Sequence, residues 1–159
     1  MTERRGPLLA GLIAGMAILL AACSPAAPAE SETSAGALAS VGGDQLARLD
    51  DQGAVSVRIV PLNLSNPGVN LDFAVVLDTH TVELSMDLAQ LATLTTDLGV
   101  SVESQLWDAP RGGHHVEGVL SFPASSGGRD LLSGASLLRL TLRGLDVPER
   151  VFEWALAAD

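Results

Sequence analysis

From Val55 to Leu156 the apolar residues recur at every second position, and that pattern excludes most folds open to a chain of this length. Period two marks strands with one buried face, because successive side chains on a strand point to opposite sides. Leu71, Phe73, Val75 and Leu77 alternate with Asp72, Ala74, Val76 and Asp78. Leu138, Leu140 and Leu142 alternate with Arg139, Thr141 and Arg143, and Phe152, Trp154 and Leu156 with Glu153 and Ala155. Turn residues separate the runs at Asn66-Pro67-Gly68, Asp97-Leu98-Gly99, Pro110 to Gly113 and Ser125 to Gly128. Strands are predicted near 55–62, 71–78, 82–86, 92–96, 100–107, 116–122, 136–143 and 150–156. Seven or eight short strands in about 105 residues predict an all-β domain over 55–159, an immunoglobulin-like antiparallel β-sandwich.

Two breaks in phase carry information. Inward residues fall at odd positions through Leu77 and at even positions in Val82, Leu84 and Met86. One residue of slip inverts every side chain, so Asp78-Thr79-His80-Thr81 is expected to be a corner where the chain leaves one sheet for the other. Val100, Val102 and Leu106 share one face, which turns Trp107 to the other, where it either packs under the following loop or is partly exposed as a candidate surface contact. The domain must hold itself without staples. The chain has one cysteine and no tyrosine, so neither the inter-sheet disulfide nor the tyrosine corner of antibody domains can form.

The first 54 residues are of another kind. Arg4 and Arg5 precede an apolar run from Leu8 to Leu20, which ends in Leu20-Ala21-Ala22-Cys23. A charged start, a short apolar middle and small residues at the cut describe an export signal over residues 1–22. A membrane span needs about 20 apolar residues, more than Pro7 to Ala22 supplies. Leu20-Ala21-Ala22-Cys23 resembles the lipobox of bacterial lipoproteins. That resemblance implies cleavage before Cys23, a covalent diacylglycerol and N-acyl lipid (palmitate) on it, and attachment to the extracytoplasmic side of the cell membrane or outer membrane. Ser24, rather than Asp, follows Cys23, which in an organism with two membranes favours the outer one. Ser24 to Gly42 is Ala, Pro, Ser, Glu and Gly with almost nothing to bury, so residues 23–54 are expected to be a disordered tether. Asp44 to Leu49 adds a short helical turn with Asp44 as its cap.

Charge narrows the partners. The net charge of −10 becomes −11 once Glu3, Arg4 and Arg5 leave with the signal. Phosphate neutralisation needs basic residues, so nucleic acid is excluded as a partner. The membrane is then met through the lipid anchor, and a protein or another cell-envelope component remains as partner. Arg139 and Arg143, four apart on one strand face, are a candidate contact for an acidic surface.

Candidate ligands cluster between positions 78 and 117. His80 lies in the Asp-Thr-His corner, and His114 and His115 follow a Gly-Gly pair. Imidazole is the commonest transition-metal ligand, so His80 with His114 or His115, helped by Asp78 or Glu117, is a candidate copper or zinc site. Adjacent residues on a strand face opposite ways, so His114 and His115 are not expected to share one ion. Strands counted as simple up-and-down runs put His80 and the His114-His115 pair at opposite ends of the sandwich.

Enzyme signatures are broken or missing. His115-Val116-Glu117 has deaminase spacing without the two cysteines that complete that zinc site. The sequence holds no H-E-x-x-H, no G-x-S-x-G and no phosphate-binding glycine loop. A non-catalytic binding or structural module is therefore expected, with metal handling as the alternative. Val76 to His80, Gly112 to His115 with Gly118-Val119-Leu120, and Val147 to Arg150 resemble small exported prokaryotic proteins of unknown role. That resemblance spans about residues 55–156 and assigns no catalytic residue.

Overall fold

The computed structural model describes residues 43–157. Residues 1–42, with the export signal, Cys23 and most of the expected tether, lie outside the described residues. One sheet has five strands in the order β1 (Arg48–Asp50), β2 (Val55–Pro61), β3 (Asn70–Thr79), β7 (His115–Pro123) and β6 (Leu106–Asp108). The other has four, in the order β11 (Val147–Ala155), β10 (Leu137–Leu145), β4 (Ala92–Thr96) and β5 (Ser101–Glu103). Every pairing is antiparallel. The orders β2-β3-β7-β6 and β11-β10-β4 reproduce the A-B-E-D and G-F-C sheets of the immunoglobulin fold, with β5 added beside β4 and β1 outside β2. A single helical turn, α1 (Gly43–Leu46), precedes β1.

The alternation in sequence becomes the core. Val55, Val57 and Ile59 from β2, Leu71 to Leu77 at odd positions from β3, and Leu138, Leu140 and Leu142 from β10 are buried. Phe73 takes the middle, edge-on to Phe122 at 5.6 Å between ring centres and tilted against Trp154 at 5.4 Å. Phe73 against Phe122 joins neighbouring strands of one sheet, and Phe73 against Trp154 joins the two sheets, in a core that holds no disulfide.

Four details differ from the expectation. The segment 82–86 is not a strand. Leu84 is buried and its amide and carbonyl bond Gly113 O and Gly112 N, but no ladder extends along the segment. The chain does leave the first sheet after Thr79, through a long connection that includes a 3-10 turn over Leu88–Gln90 capped by Asp87. The predicted strand 100–107 is two strands in two sheets. Ser104 N still bonds Ala92 O of β4, while Gln105 N bonds Ser121 O of β7. This switch inverts the parity, so Leu106 is exposed and Trp107 is buried rather than offered to a partner. Its indole lies over Gly118, where a Cβ would meet the ring at 2.9 Å and Asp108 O at 2.5 Å. Gly127 and Gly128, expected as a loop, turn a hairpin between β8 (Ser125–Ser126) and β9 (Arg129–Asp130) with φ of 58° and 78°. Both signs suit a type I′ turn, which only glycine enters freely.

The fourth difference is the boundary of the folded part. Residues up to Ala54, read as tether, include α1 and β1, and β1 pairs with β2. The inward side chains of β1 are Arg48 and Asp50, which gave no apolar alternation to read.

Candidate functional site

Two charge clusters stand out, one exposed and one buried. The exposed one is set by strand register. Asp78 on β3 and His115 on β7 are direct antiparallel partners, and Glu117 lies two residues further along the same outer face. His115 Nδ1 is 2.5 Å from Asp78 Oδ1 and Nε2 is 3.1 Å from Glu117 Oε1. All three side chains are more than half exposed, at 59%, 56% and 66%. The Asp78 hydrogen bond raises the His115 pKa above the ordinary histidine range; desolvation opposes it, and the charges of Asp78 and Glu117 add to it. In the protonated ring both N–H groups donate to carboxylates. The cluster is built to hold a proton.

The loops beside it explain the placement. Thr79 N donates to His114 O, and Gly113 N donates to Glu83 Oε1 at 2.7 Å. Thr79 Oγ1 donates to Ala54 O and accepts from the amides of Thr81 and Val82, which bends the chain after β3. The His80 corner and the Gly112-Gly113-His114 loop are therefore neighbours at one end of the sandwich. The expectation of opposite ends fails because 82–86 is not a strand; with that run out of the count, β7 begins at the end where β3 stops, as their antiparallel pairing requires.

The candidate ligands are only partly brought together. His115, Asp78 and Glu117 meet; His80 and His114 are exposed on the adjoining loops. Among the described residues no group of three or more His, Cys, Asp or Glu is arranged to hold a metal ion. Metal ligation through His115 would have to displace a carboxylate from one of its nitrogens. Arg139 and Arg143 face outward from β10, each against its cross-strand partner on β11: Arg139 with Glu153 at 2.6 Å and Arg143 with Glu149 at 3.0 Å. Their charge is met within the chain, which weakens the case for an acidic partner there.

The buried cluster centres on a residue the sequence reading passed over. Arg150 stands on the inward face of β11 in line with Phe152 and Trp154, and its side chain is 0% exposed. Its Nη1 donates to Asp50 Oδ1 at 2.5 Å and Asp50 O at 3.2 Å, its Nη2 to Gln52 O at 2.6 Å, and its Nε to Leu145 O at 3.2 Å. Burial pushes the Asp50 carboxyl up, but the Gln52 hydrogen bonds and the Arg150 charge outweigh it and leave the pKa lowered. Nearby, Trp154 Nε1 donates to Leu46 O at 2.6 Å, and the Arg48 guanidinium lies 5.8 Å from the centre of the Trp154 ring. The parity of Arg150 in 150–156 was the available signal, since it puts a cation where only apolar groups are expected.

No family model matches the chain, and no curated protein matches it. A solved structure of a DUF4426 family protein from Pseudomonas aeruginosa PAO1 is similar at TM-score 0.40 and 10% identity, over 72% of this chain and 98% of that one. A likeness that loose carries no argument about function. Among the described residues no helix is long and apolar enough to cross a membrane.

Proposed function

We propose that this chain is a lipid-anchored extracytoplasmic module: exported, acylated at Cys23, and presenting an immunoglobulin-like sandwich as a non-catalytic binding or structural unit. The observation that carries the reading is Leu20-Ala21-Ala22-Cys23 at the end of a short apolar run, with no second cysteine to compete for another role. The outer-face cluster supports the non-catalytic part. A general base needs a free lone pair near its substrate, whereas both His115 nitrogens are engaged by carboxylates in open solvent.

The anchor is tested by replacing its acceptor. Cells expressing the full chain are grown with labelled palmitate, and Cys23→Ser is compared with the parent sequence. The parent takes up label and is shortened by the signal peptide, while Cys23→Ser remains an unlabelled precursor. Label on Cys23→Ser overturns the proposal.

A further inference from the structure

Large exposed apolar side chains gather at one end of the sandwich. Leu46, Leu62, Val69 and Leu98 are exposed there, Val69 at 87%, where β2 runs out, β3 begins and β4 ends. Leu46 and Leu62 rim a hollow with Leu64, Pro67, Leu132 and Leu156. Leu98 rims the neighbouring hollow, and the polar Asp130 and Ser133 line both, so the two hollows adjoin. The other end carries carboxylates, among them Asp78, Glu83, Asp87, Asp146 and Glu149, where β3 and β10 end and β7 and β11 begin. Scattered exposed leucines need no explanation, but four large exposed apolar side chains gathered at one end of an acidic domain mark a contact surface.

The chain itself indicates what covers it. The apolar end is where the described fold begins, since α1 contributes Leu46 to the rim and β1 runs away from it along β2. Residues 24–42 separate that point from Cys23. Nineteen residues of flexible composition have an r.m.s. span of roughly 25 Å, so a lipid on Cys23 holds this end, on average, nearer the bilayer than the opposite end. Charge agrees. An anionic leaflet repels the end with more carboxylates, and the apolar end, which carries Asp97 and Asp130 beside Arg129, is the one left to face it.

We propose that the apolar end formed by Leu46, Leu62, Val69 and Leu98 rests on the surface of the bilayer that anchors Cys23, with the Asp78–His115–Glu117 cluster held away from it. The proposal rests on the anchor reading and adds an orientation to it. The diacylglycerol and N-acyl chains on Cys23 suffice to hold the protein at the membrane, and the apolar contact adds orientation at the high effective concentration that a short tether provides.

The full lipidated protein tests it, because thioether formation leaves Cys23 without a free thiol. Val69→Cys and His80→Cys are each labelled with an environment-sensitive fluorophore. The proteins are then placed in phosphatidylcholine–phosphatidylglycerol vesicles with or without nitroxide-labelled lipid. Apolar faces of interfacial elements sink about 5–10 Å, within reach of a nitroxide on the upper acyl chain. The expected result is a blue shift and loss of emission at position 69 and neither at position 80. Flotation with the vesicles reports the anchor separately. Protein that floats with an unquenched probe at position 69 overturns the docking and leaves the anchor intact. Protein that fails to float and takes up no palmitate overturns both. A concentration-dependent blue shift at position 69 without vesicles shows that a second copy covers this end, and also overturns the proposal. Leu62→Asp in the Val69→Cys background, with strand content checked by circular dichroism, is expected to abolish the quenching while flotation persists.

Discussion

The Arg150–Asp50 and His115–Asp78 pairs join the same kinds of charge at the same 2.5 Å, yet they occupy opposite surroundings. Arg150 is wholly enclosed and Asp50 only 12% exposed, whereas both members of the other pair are more than half exposed. Water is the difference. In the enclosed pair each guanidinium nitrogen must find a protein acceptor, and the carbonyls of Leu145, Asp50 and Gln52 complete the set. In the exposed pair water replaces any partner that leaves, so its effect on stability is small and salt-dependent. Short distance alone does not make an ion pair matter.

The largest effect is expected where one buried partner is removed. Arg150→Ala leaves the Asp50 carboxylate with its Gln52 bonds alone and three carbonyls without their donor, and breaking such a pair costs about 3–5 kcal/mol out of a typical domain total of about 5–15. Shortening the chain to begin at Gly53 removes Asp50, Gln52 and the Leu46 carbonyl together and should cost at least as much as Arg150→Ala. Urea unfolding of a chain that begins at Gly43, beside each variant, measures it. A chain begun at Gly53 that is as stable as one begun at Gly43 would show that β1 is an ornament on the sandwich.

Acid gives a smaller, local effect. The folded pKa of Asp50 is lowered, so its stabilisation is present above the unfolded value of about 3.9 and is lost as pH falls through the folded one. Amide exchange of β1 should therefore accelerate in that acid window, while amides of β10 stay protected. Uniform loss of protection across both would remove the distinction between the segment and the rest of the domain.

The smallest effect belongs to His115. Its folded pKa is raised, so the stabilisation is complete below about 6.5 and is lost as pH rises through the folded value. NMR titration should place His115 above the ordinary histidine value. Raising salt from about 0.1 to 1 M shortens the screening length from about 10 to 3 Å and should draw it back. Asp78→Asn should do the same at low salt. A His115 titration that ignores Asp78→Asn would separate the cluster from its geometry.

The legible part of the fold was its apolar rhythm. Leu71 to Leu77, Leu138 to Leu142 and Phe152 with Trp154 were assigned inward from alternation, and all are buried. The same rule failed at Trp107, because parity survives only while a strand stays in one sheet, and the chain changes sheets between Ser104 and Gln105. It failed at Arg48 and Asp50 for another reason, since alternation is sought among apolar residues and these inward residues are charged. At the candidate site, His115, Asp78 and Glu117 are all candidates from the sequence, and a spacing of two along one strand is enough to put His115 and Glu117 on one face. The meeting of His115 with Asp78 waited on the pairing of β3 with β7.

Residues near one another in sequence determined the strands, the turns, most of the inward faces and the signature that ends in Cys23, because side-chain direction on a strand depends only on position along it. Tertiary structure alone decided which strands are neighbours. That choice brings Asp50 to Arg150 across 100 positions and His115 to Asp78 across 37. The physical reason is that a charged side chain has no preferred face until its partner is known. Burial of one pair and exposure of the other follow from where the two sheets close, which no local stretch of sequence records.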